Sequence, residues 1–140
     1  MRRNVRRILL VEADGVLAEV TAFRLELLGY QVEVTTTQEQ ALHAARNLTP
    51  DLIIADMMLE EDSALPLLES LASQPETNGI PVMVLSLDAD LDRVTEAHKA
   101  GAADFLVVPY QPDVLQRKVA ALLSRGRAPG EREKSKTLTT

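Results

Sequence analysis

Between Asp51 and Asp56 lie Leu52, Ile53, Ile54 and Ala55, an apolar run too short and too continuous for an amphipathic helix. Such a run fits a strand buried on both faces, and that in turn demands a sheet with helices packed on each side. In open parallel α/β sheets ligands gather outside the carboxyl ends of the strands. Asp56, where this run ends, is therefore a candidate functional residue, with a plain loop aspartate as the alternative.

The remainder of the chain repeats the same grammar. Ile8 to Val11 is a second short run, closed by the acidic turn Glu12-Ala13-Asp14-Gly15. From Val16 to Leu28 the apolar residues Val16, Leu17, Val20, Phe23, Leu27 and Leu28 recur at three- and four-residue spacing, the mark of a helix with one apolar face, and Gly29 stops it. Tyr30 to Thr35 alternates as a strand. Thr36 or Thr37 can cap a helix through Asn47, with Ala41, Leu42, Ala45 and Leu48 inward, before Pro50 breaks it. After the acidic loop Glu60-Glu61-Asp62, Ser63 is expected to cap a helix through Ser73 with Leu65, Leu68 and Leu71 as its stripe. Pro81 to Ser86 reads as a fourth strand, Leu91 to Ala100 as a helix ended by Gly101, and Asp104 to Val108 as a fifth strand. Pro112 then suits the first turn of a last helix that carries Val114, Leu115, Val119, Leu122 and Leu123 to Ser124.

Five strands alternating with five helices specify an α/β fold, a doubly wound parallel sheet with right-handed crossovers. The flavodoxin-like strand order 2-1-3-4-5 is the natural candidate. It sets the ends of the first and third strands side by side, which brings Glu12, Asp14 and Asp56 together, with Ser86 from the neighbouring fourth strand. Clustered carboxylates beside a hydroxyl suit a hard divalent cation and leave one carboxylate as a nucleophile toward a phosphoryl group. Competing signatures are absent: the chain has no GxGxxG or GxxxxGK[ST] loop, no GxSxG elbow and no histidine pair at zinc spacing. His43 and His98 fall on helices and read as ordinary surface or boundary residues.

Composition sets the outer limits. The 140 residues suit one domain over residues 6–124, with a basic arm over 1–5 and a polar tail over 125–140 expected to be disordered. Without cysteine there is no disulfide framework, and with no signal peptide or bilayer-length apolar stretch the cytoplasm is the expected compartment. The net charge of -6 hides a more acidic body, since Ile8 to Ser124 carry 19 acidic and 6 basic residues, a net of -13. Such a body repels nucleic acid and suits a cation or a basic partner surface. The basic ends can attract polyanions, but no groove-reading element accompanies them, so no specific nucleic-acid binding is expected.

Four stretches in order, ILLVEAD (8–14), DLIIADMML (51–59), PVMVLS (81–86) and GAADFLVVPY (101–110), carry a family resemblance. The chain resembles the CheY-like response-regulator receiver domain of two-component signalling and phosphorelay over Arg6 to Ser124. The resemblance implies that Asp56 accepts a phosphoryl group from a histidine kinase or phosphotransfer protein, and that Ser86 hydrogen-bonds that group. It implies a magnesium site made by Glu12 and Asp56, with the backbone carbonyl of Met58. Phe105 matches the switch aromatic and, lacking a hydroxyl, is expected to lie inward beside the fourth helix. The Val108-Pro109 peptide is expected to be cis.

Departures from the family pattern make this an atypical receiver. Ala13 stands where a second acid usually ligates magnesium, with Asp14 one residue later as the available substitute. Val108 replaces the lysine that pairs with the phosphoryl oxygens, and Leu87 replaces a small residue. Glu60 and Ser63-Ala64 stand where the family has proline and Asp-Gly. Magnesium binding is therefore expected to be weak, millimolar or poorer, or absent. Enzymatic activity would be at most autocatalytic acceptance and hydrolysis at Asp56. The alternative is a pseudo-receiver, an interaction module independent of phosphorylation. With no effector domain in the sequence, a downstream protein partner is expected, and the face of the fourth helix, fifth strand and fifth helix would serve docking or a homodimer.

Overall fold

The computed structural model describes residues 5–125. Its elements run β1 (Arg7–Val11), α1 (Gly15–Leu27), β2 (Gln31–Thr35), α2 (Gln38–Leu48), β3 (Leu52–Asp56), β4 (Met58–Leu59), β5 (Asp62–Ser63), α3 (Leu65–Ser73), β6 (Val82–Ser86), α4 (Leu91–Lys99), β7 (Asp104–Val107) and α5 (Pro112–Ser124). Five parallel strands form one sheet in the order β2-β1-β3-β6-β7, and β4 and β5 make a small antiparallel hairpin. This is the flavodoxin-like arrangement expected from the alternation of runs. The first four residues of the basic arm and the tail from residue 126 lie outside the described residues.

The sheet core follows from its sequence. Every residue of β6 and all of β3 except Asp56 are buried, as central strands covered on both faces must be. Side chains alternate between two apolar clusters. Leu9, Val11, Ile53, Ala55, Val82 and Val84 meet α2, α3 and α4 on one face. On the other, Ile8, Leu10, Leu52, Ile54, Met83 and Leu85 meet Leu25 of α1 and Leu115, Val119 and Leu122 of α5.

Helix α1 departs from its periodicity. Its buried residues are Ala18, Thr21 and Leu25, whereas Val16, Val20, Phe23 and Leu27 are 74%, 41%, 59% and 70% exposed. At 3.6 residues per turn the two sets lie about 160° apart around the helix. The apolar spacing was a real stripe, but it faces outward. Leu25 reaches the α5-side cluster, and the buried Thr21 hydroxyl is satisfied by the Tyr110 hydroxyl at 2.6 Å. Small and medium side chains at these positions let α1 lie close on the sheet.

Smaller differences have local causes. Ser63 pairs in the β4–β5 hairpin rather than opening α3, although its Oγ accepts from the Leu65 N–H at 3.1 Å. Thr37, not Thr36, caps α2 by accepting from the Gln40 N–H. Gly101 ends α4 at φ +118°, and a Cβ there would stand 3.0 Å from Ala72 Cβ, so both the backbone sign and the contact with α3 call for glycine. The Val108-Pro109 peptide is cis.

Candidate functional site

Parallel pairing sets the strand ends in a row. Val11 is in register with Ala55, and Asp56 with Leu85, so Glu12, Asp56 and Ser86 emerge from three adjacent strands at one edge of the sheet. Backbone bonds hold the exits: the Glu12 N–H donates to the Thr35 carbonyl at 2.9 Å, and the Met57 N–H to the Leu85 carbonyl at 2.7 Å. The Val108 N–H donates to the Ser86 carbonyl at 2.9 Å. Asp56 Oδ1 accepts from the Met58 N–H at 3.0 Å, which ties the carboxylate to the turn after β3.

Glu12 is the most perturbed group. It is 1% exposed, and its Oε1 has no hydrogen-bond partner. Burial pushes its carboxyl up to about 8, and the neighbouring Asp56 adds to the rise, while the Asp14 N–H, donating to Oε2 at 3.2 Å, works against it. At neutral pH Glu12 therefore holds its proton in the isolated chain.

The other expected residues divide. Ser86 is buried, and its Oγ donates to the Asp88 carbonyl at 3.0 Å and accepts from the Asp88 N–H at 3.1 Å, so the hydroxyl is occupied by its own loop. Asp14 lies near in sequence but is exposed, and its Oδ1 accepts from the Leu17 N–H at 3.0 Å as the N-cap of α1. Met58 is 40% exposed in the hairpin. Phe105 is partly buried, packs against the α2–α4 side of the core, and borders a recess shared with Val94, Ala97 and His98 of α4. Thr35, buried with an unpartnered Oγ1, stands next to Glu12 and was not legible in advance. Only the register of β2 on β1 could have pointed to it.

Two departures have structural consequences. Val108 is 6% exposed within the α5-side cluster, so its position is filled by packing rather than by a cation. The ion pairs among the described residues join Asp113 to Arg117 and Asp104 to Lys118, and neither reaches Glu12, Asp14 or Asp56. Leu87 projects into solvent, 83% exposed.

The donor set fits a hard cation sparsely. The orphaned Glu12 oxygen beside Asp56 is a suitable ligand pair, and a bound cation would displace the Glu12 proton. Among the described residues no three acidic or histidine side chains converge on one metal position, consistent with Asp14 being spent on its helix cap.

A family model described as the response regulator receiver domain matches residues 8–120. The DNA-binding response regulator MtrA of Mycobacterium leprae is 32% identical over 120 residues, covering 86% of this chain and 52% of that protein. The phosphate regulon transcriptional regulatory protein PhoB of Klebsiella pneumoniae is 30% identical over 120 residues, again covering 86% of this chain and 52% of that protein. The chain thus spans about half the length of the curated relatives it matches. Among solved structures, a response regulator from Chloroflexus aurantiacus aligns at TM-score 0.83 and 28% identity, over 87% of this chain and 100% of that one. The receiver domain of sensor histidine kinase PA1611 from Pseudomonas aeruginosa, described with magnesium in its active site cleft, aligns at TM-score 0.80 and 26% identity, over 86% and 99%.

Proposed function

The chain belongs to the response regulator receiver domain family, and from that membership we propose that it accepts a phosphoryl group on Asp56 from a histidine kinase or phosphotransfer protein. Receiver domains act in two-component signalling, bind magnesium at the active site and interact with kinases and downstream partners. What supports the reading for this chain is one observation: Asp56, the buried Glu12 and Ser86 leave adjacent strands at one sheet edge.

In the proposed step an Asp56 carboxylate oxygen attacks the phosphorus of a phosphohistidine. The O–P bond forms as the P–N bond breaks, and the imidazole leaves with the electron pair. Ser86 would exchange its Asp88 carbonyl for a phosphoryl oxygen, which can pull on the β6–α4 loop. Glu12 and Asp56, with the Met58 carbonyl, would hold magnesium. That ion supplies neutralisation of charge on the transferring group. No lysine from position 108 shares that task, so transfer is slow, and Ala13 supplies no second carboxylate, so cation binding is weak.

The face of α4, β7 and α5, with Leu91 and Val107 exposed, is the proposed docking surface for a downstream protein. The DNA-related names belong to longer relatives, of which this chain covers 52%. The acidic body offers no support for specific nucleic-acid binding here.

A second reading, a phosphorylation-independent interaction module, is favoured by Val108 in the core and Asp14 on its cap. Incubation of the full chain with magnesium and acetyl phosphate, followed by intact mass, separates the two. One phosphoryl adduct, lost in Asp56→Asn, is expected; no adduct at high donor concentration would favour the module.

A further inference from the structure

We propose that the outward stripe of α1 is a self-association surface that pairs with α1 of a second copy, the two helices parallel. This inference is independent of phosphoryl chemistry. Val16, Val20, Phe23 and Leu27 follow one another at spacings of four, three and four residues, the a/d repeat of a two-stranded coil. The stripe stands on the side of α1 opposite Ala18, Thr21 and Leu25, so it forms the crest of the helix and a second helix can approach it without meeting the chain's own core. By their exposure these four side chains present on the order of 400 Å² of apolar surface, as large as the principal patch of a typical monomer.

Charge complementarity chooses the occupant and the orientation. With Val20 and Leu27 as a positions and Val16 and Phe23 as d positions, Glu19 falls at g and Arg24 at the e position of the next heptad. Both are exposed, and neither has an ion-pair partner among the described residues. In a parallel pair g faces e′ of the following heptad, which sets Glu19 against Arg24 of the other copy twice over. An antiparallel pair that overlaps all four residues would set Glu19 against Glu26 twice over on one flank and Arg24 against Leu17 on the other, like charges with no ion pair to offset them. A parallel pair leaves both Asp56 sites at the same end, because α1 starts beside the site. Two stripes with their flanks reach about the lower limit of specific interfaces, roughly 1,200 Å², which suits a reversible pair.

Sedimentation velocity of the full chain over a concentration series tests the proposal. A monomer–dimer equilibrium is expected, with association weakened at least about tenfold in Phe23→Glu. Glu19→Arg and Arg24→Glu should each be monomeric alone yet form a heterodimer when mixed at equal concentration, a rescue that loss of folding cannot produce. Circular dichroism checks that each variant is folded. The proposal is overturned if the wild-type chain stays monomeric at several hundred micromolar, or if its dimer survives Phe23→Glu and is lost instead on substituting Leu91 and Val107. It also fails if the mixed variants remain monomeric. A monomer whose phosphoryl uptake from a kinase falls in Phe23→Glu would assign the stripe to a different protein.

Discussion

Glu12 shows how one buried side chain can give the molecule a pH dependence. Its carboxyl is raised from 4.5 to about 8 by burial first and by Asp56 second. Below 4.5 the folded and unfolded chains both hold the proton, and the stability associated with this group is fully present. As pH rises from 4.5 to about 8 the unfolded chain releases the proton while the folded chain keeps it, so stability falls, then levels off above 8. Thermal midpoints measured across this window should decline with pH in the wild type and run flatter in Glu12→Gln. An equal slope in both would mean that Glu12 is not the group responsible. Asp14 offers a second test at this scale. As an N-cap its replacement by alanine should cost about 0.5–2 kcal/mol in urea denaturation, by the same amount with and without magnesium. A cost that grows with magnesium would make Asp14 a ligand.

Among the elements, α1 carries the sharpest contrast. Leu25 is fully buried against the sheet while Phe23, two residues away, is 59% exposed. Leu25→Ala should destabilise the fold by about 2–5 kcal/mol, through lost transfer energy and the cavity left behind. Phe23→Ala at dilute concentration should change stability by no more than about 0.5 kcal/mol, despite removing the larger side chain. Equilibrium unfolding of the two variants checks both values, and a reversed order would place the wrong face of α1 on the sheet.

At the scale of the molecule, magnesium should act as a stabilising ligand by mass action. With a millimolar dissociation constant, about 10 mM magnesium adds on the order of 1 kcal/mol, a rise of a few degrees in Tm. The rise should increase with pH toward 8, because the ion competes with the Glu12 proton, and it should vanish in Asp56→Asn. Saturation at micromolar magnesium would require a ligand beyond Glu12, Asp56 and the Met58 carbonyl.

The sequence by itself determined the layered sheet, its strand order and the position of Asp56. Continuous apolar runs have one stable place, buried between helices, and parallel connections order them with little freedom. Glu12 and Ser86 were legible for the same reason, since a residue that ends a strand in such a sheet must stand at the shared edge. Tertiary structure alone decided which face of α1 turns inward. Periodicity reports that a stripe exists, but not what covers it, and here close packing of Ala18, Thr21 and Leu25 on the sheet left the larger stripe outside. It also decided that Asp14 caps a helix, that Ser86 bonds its own loop and that Thr35 stands beside Glu12. Those facts depend on distances of a few ångströms between segments far apart in the chain or on side-chain direction, which spacing along the sequence does not encode.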